Sequence, residues 1–138
     1  MKISRIQELF QSFSPLQRSV ISALCGFFFY GSWGVLVNWK HGVMAATKAG
    51  CVQGSYSFIL TLFMTMLIEG VFKLNSKVFN QIHTINWSTI IVCCAAIFSV
   101  SWGVNSAAGT PEILRTVILG YVFGGIYCIT YVYSLARS

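Results

Sequence analysis

Long apolar runs, separated by short polar segments, set the pattern of this chain. Four runs are long enough to cross the hydrocarbon core of a bilayer as helices, which takes roughly 17–25 residues. They cover residues 16–37, 45–72, 88–104 and 113–135. Before them, residues 2–13 place apolar side chains at helical spacing with charged side chains between them, as in a helix lying in the membrane interface. The pattern predicts an all-α integral membrane protein. It has one domain over residues 1–138, with four transmembrane helices preceded by an N-terminal amphipathic helix.

Short polar segments predict where the membrane helices begin. Ser14 followed by Pro15 and Gln17 has the pattern of a capping box with proline at the first helical position. Thr110 followed by Pro111 predicts a second start of the same kind. Each signal stands at the head of an apolar run, so both support the assigned spans.

Two other segments predict how the helices are connected and packed. Residues 73–86 form the longest polar connection, and the apolar residues within it indicate that it rests on the membrane interface. The second run contains Gly50 and Gly54, a spacing of small residues that lets helix backbones approach closely in membranes. We therefore expect a close helix contact near the start of this run.

A polar residue at every fourth position marks the second run. The five are Gln53, Ser57, Thr61, Thr65 and Glu69. Residues four apart lie along one ridge of a helix, and a polar ridge on an apolar helix is expected to face protein or water rather than lipid. The ridge predicts a polar path or substrate groove. The alternative is that its hydroxyls bond the carbonyl four residues back and serve only in packing.

The first and third runs resemble each other at an offset of 69 residues. Eight of 17 positions are identical between 19–35 and 88–104, including Ser-Trp-Gly-Val at the end of each segment. This predicts two helical-hairpin repeats that are parallel, related by an axis along the membrane normal. The alternative is that the two segments are not duplicated and are similar only because membrane helices use the same few residue types. Each segment ends with a tryptophan, a close-packing glycine and a nearby asparagine, which adds four candidate site residues: Trp33, Trp102, Asn38 and Asn105.

Composition and charge agree with a membrane protein. Only 9% of the 138 residues are charged, and Lys and Arg outnumber acidic residues by nine to three. No cluster of basic residues suggests nucleic acid. With four spans, one side of the membrane receives six basic residues and the other three. By the positive-inside rule the termini are cytoplasmic, and a bacterial inner membrane is the expected location.

The sequence contains no pattern typical of an enzyme, a metal site or a cofactor site. The five cysteines lie in apolar runs without a Cys-x-x-Cys spacing, and aspartate is absent. No nucleophile elbow or cysteine–histidine constellation occurs. We therefore expect no catalysis, no metal and no cofactor.

Three charged residues in the spans are candidates for binding. Glu69 either pairs with Lys73 at the helix end or acts as a membrane carboxylate that meets a proton or a cation. Lys48 and Arg115 lie one turn inside the same membrane face. They either extend to the lipid headgroups or form a site for a phosphate or carboxylate, with Arg115 also able to pair with Glu112.

These observations lead to two functional hypotheses. The first is a small transporter or translocation accessory for an amphipathic, lipid-like or anionic molecule, which meets Lys48 and Arg115 and follows the ridge towards Glu69. The second is a non-catalytic membrane subunit or anchor that packs against a partner. Membrane lipids are the expected partners. A bundle this small also predicts a homo-oligomer or a larger membrane complex.

Overall fold

The computed structural model describes residues 2–138, without the side chains of residues 2–4 and 10. The chain forms five α-helices and one short 3₁₀ turn in this part, and no strand. The helices are α1 Lys2–Ser12, α2 Pro15–Asn38, α3 Val43–Val78, α4 Ile82–Ala107 and α5 Ile113–Arg137, and the 3₁₀ turn is Trp39–His41. Helices α2 to α5 are each long and apolar enough to cross a membrane. The chain is therefore a multi-pass helical membrane protein.

The four long helices form two antiparallel hairpins, α2–α3 and α4–α5, and the bundle has two distinct ends. The turn end carries the connections inside the hairpins, where Gly42 and Gly109 have φ values of 99° and 72°. Glycine adopts this left-handed region without the steric penalty that a Cβ brings. The connection end carries residues 79–81, which join the two hairpins.

The capping box predicted at Ser14 is present. The backbone N–H of Gln17 donates to Oγ of Ser14 over 3.2 Å, and the backbone N–H of Ser14 donates to Oε1 of Gln17 over 2.9 Å. The corresponding prediction for Thr110 is wrong, because α5 begins at Ile113. The Thr110 hydroxyl instead donates to Oδ1 of Asn105 over 3.0 Å, so it stabilises the end of α4.

The predicted polar connection over residues 73–86 is also wrong. Helix α3 continues to Val78 and α4 starts at Ile82, which leaves three residues between them. No glycine or proline interrupts the helix in this segment. Its polar Asn75 is satisfied within the bundle, since Nδ2 donates to Oγ1 of Thr89 over 3.0 Å. The polar residues here mark faces of two helices rather than a loop.

Glycines bring α2 and α3 into close contact, as the Gly50–Gly54 spacing predicted. A Cβ added to Gly50 would lie 2.8 Å from the carbonyl oxygen of Gly31, and one added to Gly54 would lie 2.8 Å from that of Phe27. The second hairpin differs. Gly103, expected to be a close-packing counterpart of Gly34, has no atom within 4 Å of an added Cβ.

The buried apolar core lies among α3, α4 and α5. Its members are Met64, Ile68, Ile90, Cys93, Ile97, Cys128 and Val132. Helix α2 contributes no residue to this cluster and is held mainly by its contact with α3. This division leaves room for a cavity where α2 and α5 face each other.

Candidate functional site

A cavity of about 440 Å³ lies between the four long helices. This volume falls in the range of small-molecule sites, roughly 300–1,000 Å³. On α3 it extends from Gln53 to Thr65, 13 residues that span about 18 Å of helix. The polar residues Gln53, Ser57, Thr61 and Thr65 all line it. Four of the five ridge residues predicted from the sequence therefore share one cavity.

Burial separates a deep end of the cavity from a mouth. Six lining residues are buried. Gln53, Ser57, Ser101 and Val117 lie towards the turn end and form the deep end, whereas Met64 and Ile97 belong to the apolar core. The mouth consists of exposed lining residues from α2, α3 and α5. They are Ser19, Ser22, Thr61, Phe123 and Tyr127.

Aromatic side chains supply much of the remaining wall. Tyr30, Tyr56, Phe98 and Tyr121 line the cavity. The rings of Phe98 and Tyr121 meet edge to face, with centroids 5.2 Å apart. Hydroxyl and amide groups thus alternate with aromatic surface, a combination suited to an amphipathic molecule.

Hydrogen bonds close the bundle at the turn end. Asn38 is fully buried, and its Nδ2 donates to Oγ1 of Thr116 over 2.9 Å while its Oδ1 accepts from the backbone N–H of Glu112. Nε1 of Trp33 donates to the carbonyl oxygen of Arg115 over 2.8 Å. These bonds join α2 to α5, so the cavity has no exit between these two helices at this end.

Towards the connection end, α2 and α5 separate. The rings of Phe29 and Phe123 meet edge to face with centroids 6.2 Å apart. Beyond this pair, Ser19 and Ser22 of α2 and Tyr127 of α5 line the cavity and are exposed. The mouth lies on this side of the Phe29–Phe123 pair, so the cavity is accessible from the connection end.

The hydrogen-bond network fixes which atoms Gln53 presents to the cavity. The carbonyl oxygen of Ser101 can only accept, so the side-chain nitrogen of Asn105 must face it, over 3.0 Å. The same nitrogen donates to Gln53 over 2.8 Å, which assigns Oε1 of Gln53 to that contact. Nε2 of Gln53 is then directed towards α5, 3.5 Å from the position of a Cβ at Gly120. None of the described residues accepts a hydrogen bond from it.

The other ridge positions differ in their bonding. The Thr61 hydroxyl donates to the carbonyl oxygen of Ser57 over 2.7 Å, which is the packing arrangement considered for the ridge. The hydroxyls of Ser57 and Thr65 form no hydrogen bond with another described residue. Glu69 is exposed, does not line the cavity, and accepts a hydrogen bond from the Tyr131 hydroxyl over 2.5 Å.

Lys48 and Arg115 are both exposed. Arg115 is paired as the sequence suggested, with its Nε 3.9 Å from Oε2 of Glu112. Lys48 forms no ion pair or hydrogen bond with the described residues, and it shares a helix face with Val52 and Ser55. Val52 and Ser55 line a groove on the outside of α3 and α4, away from the main cavity.

The turn end also has an ion cluster centred on Glu112. Its Oε1 lies 2.7 Å from Nζ of Lys40 and 3.2 Å from Nε2 of His41. Hydrogen bonds from Lys40, and to a smaller degree from His41, lower the pKa of Glu112 to about 2. The cluster joins the two hairpin turns. The sequence did not reveal it, because the partners are some 70 residues apart.

The two tryptophans predicted as site residues have different roles. Trp33 is half-buried and bonded to α5, whereas Trp102 is exposed and its ring lies 5.7 Å from that of Phe98. Neither lines the cavity. Tyr127 does line the mouth, and its ring stacks on that of Tyr131 with centroids 5.7 Å apart.

Several lining residues were missed by sequence reasoning. They are Tyr30, Tyr56, Ser101, Gly120 and Tyr121. Only Ser101 carried a signal, as the first residue of the second Ser-Trp-Gly-Val segment. Its hydroxyl is buried beside the Tyr56 hydroxyl but forms no hydrogen bond of good geometry with a described residue.

Comparison with known proteins gives no relative from which a function can be transferred. No family model matches the chain, and neither a curated protein nor a solved structure is significantly similar to it.

Proposed function

We propose that this protein binds an amphipathic, lipid-like molecule in the cavity between its helices and assists its movement across the membrane. The observation that carries the proposal is the cavity itself. It has a polar ridge on one wall, aromatic rings on the others, access from the connection end, and hydrogen bonds closing the turn end. A pore for water or ions would not require such an aromatic lining.

The proposal includes an orientation in a bacterial inner membrane. The connection end, with both termini, faces the cytoplasm because six of the nine basic residues belong to it. Helix α1 lies along the interface on this side, where its exposed Ile6 and Leu9 contact lipid. The ligand enters the mouth from the cytoplasmic leaflet.

Movement to the other leaflet requires the turn end to open. The bonds of Asn38 and the ion cluster of Glu112 hold it closed. Both involve Glu112, whose backbone N–H bonds Asn38 and whose carboxylate pairs with Lys40, so they can break together. Self-association or a larger complex supplies the remaining wall of the passage. Glu69, bonded to Tyr131 near the connection end, is the acidic group placed to meet a cation during this change.

The experiment is a leaflet-exchange assay in proteoliposomes with a fluorescent phospholipid and a membrane-impermeant quencher. We expect the wild-type protein to accelerate exchange. Gln53→Leu and Glu69→Gln should abolish it while the purified proteins remain folded. Ser55→Leu, on the same helix but facing the outer groove, should leave exchange unchanged.

A second measurement is mass spectrometry of lipids extracted from the purified protein. A retained amphiphile that is lost in Gln53→Leu supports binding in the cavity. Folded wild-type protein that neither retains an amphiphile nor accelerates exchange contradicts the proposal. Co-purification with another membrane protein, disrupted by the same variants, would then favour the structural-subunit hypothesis.

A further inference from the structure

We infer that the end of the ligand that enters the cavity first carries an uncharged hydrogen-bond acceptor, such as an ester or amide carbonyl. This inference rests on the binding function proposed above and specifies its ligand. It follows from the one polar atom at the deep end whose identity and direction the network fixes, Nε2 of Gln53.

The deep end offers a donor because the acceptor of the same side chain is already in use. Oε1 of Gln53 accepts from Asn105, whose nitrogen is in turn oriented by the Ser101 carbonyl. Gln53 as a whole is 1% exposed, and its Nε2 is not enclosed by protein atoms but opens onto the cavity. A carbonyl or ether oxygen of a ligand in the cavity can accept a hydrogen bond from this N–H group.

The deep end also has no charged side chain that could serve as counter-ion to a charged ligand group. Among the described residues that line the cavity, Arg18 is the only charged one, in the first turn of α2 at the opposite end. The deep end itself is made of amide, hydroxyl and apolar groups. An anion or a cation buried there would have no counter-ion, and burying an unpaired charge is strongly unfavourable. The group that reaches Gln53 is therefore neutral.

Gly120 provides the space that the acceptor needs. A Cβ at this position would lie 3.5 Å from Nε2 of Gln53 and 3.7 Å from Cε1 of Tyr30. These are ordinary van der Waals distances, so alanine fits without moving its neighbours. The added methyl group would nevertheless occupy the space in front of the Gln53 amide. Gly120→Ala is thus a variant that blocks the subsite and leaves the fold intact.

The test uses three probes of equal chain length: methyl decanoate, decylammonium and decane. Binding of each to the full-length protein in nanodiscs is measured by native mass spectrometry. We expect methyl decanoate to bind about tenfold more tightly than decane, the effect of one hydrogen bond to the Gln53 amide, and decylammonium to bind no better than decane. Gln53→Met and Gly120→Ala should each remove the preference for the ester.

Gly125→Ala is the matched control, because it adds the same methyl group to the same helix where no atom lies within 4 Å. It should keep the preference of the wild type. Equal binding of all three probes to the wild type overturns the inference and leaves the proposed function standing. Absence of binding by any probe overturns both. Should Gln53→Met fail to fold, a Gly120→Ala protein that keeps the full ester preference also overturns the inference.

Discussion

Asn105 donates a hydrogen bond from its side chain to Oε1 of Gln53, 2.8 Å away, and both residues are buried. The bond joins α4 to α3 and therefore links the two hairpins at the deep end of the cavity. Because it also directs the free N–H group of Gln53, one contact serves both the fold and the candidate site.

The first prediction concerns this bond. Asn105→Ala leaves Oε1 of Gln53 and the Thr110 hydroxyl without their partner, so we expect the folded state to lose about 1–3 kcal/mol. Reversible unfolding in mixed micelles measures the change. Ser106→Ala, one residue further on and exposed, should have little effect. Equal stability of the Asn105→Ala and Ser106→Ala variants would show that the bond does not hold the hairpins together.

The second prediction concerns the close contact of α2 and α3. A Cβ at Gly50 would approach the Gly31 carbonyl oxygen to 2.8 Å, so Gly50→Ala must separate the backbones, at a cost of about 1–3 kcal/mol. Gly70→Ala on the same helix meets nothing within 4 Å and should be neutral or stabilising by up to about 1 kcal/mol, from helix propensity. Unfolding titrations of the two variants check that Gly50→Ala lowers the free energy of unfolding and that Gly70→Ala does not. Destabilisation of equal size in both would contradict the packing.

The third prediction is a pH dependence at the turn end. The folded-state pKa of Glu112 is about 2, below its ordinary value of 4.5, because Lys40 and His41 stabilise the carboxylate. A lowered pKa means that the folded state binds the proton more weakly. The contribution of the ionised Glu112 carboxylate to stability is therefore complete above about pH 4.5 and is lost as the pH falls through about 2.

Thermal unfolding of the wild type and Glu112→Gln over this pH interval measures that contribution. The wild type should be the more stable at neutral pH, and the two curves should converge as the pH approaches 2. Because the cluster is partly exposed, salt should reduce the difference. Glu8→Gln, in exposed α1, is the control and should have little effect on stability. A difference for Glu112→Gln that persists unchanged at low pH would refute the assignment.

Local signals in the sequence were reliable where the physics is local. The Ser14 capping box needs only four consecutive residues, and the Gly50–Gly54 contact needs only one helix turn without side chains. The Thr110 signal failed because a buried partner, Asn105, takes its hydroxyl. The prediction of a loop over residues 73–86 was wrong because polar side chains were interpreted as the end of a helix. Asn75 is instead hydrogen-bonded to Thr89 within the bundle.

The ridge was predicted from spacing alone, and its four members nearest the turn end, from Gln53 to Thr65, do share a cavity. Periodicity reveals which residues share a face of one helix, but not what the neighbouring helices place opposite them. For this reason Tyr30, Tyr121 and Gly120 could not be found in advance. The proposed duplication stays a prediction. Asn38 and Asn105 each donate to the carbonyl four residues back, while Gly34 and Gly103 pack differently.

The central claim is that the cavity, rather than the outer surface, binds the amphiphile. Photolabelling of the full-length protein in nanodiscs by a diazirine-bearing ester amphiphile tests it most directly, with mass spectrometry to locate the labelled residues. We predict labelling at Ser57, Thr61 and Tyr121 that excess unlabelled amphiphile suppresses, and labelling at Val52 and Ser55 that it does not. Equal, non-saturable labelling of both groups would contradict the account.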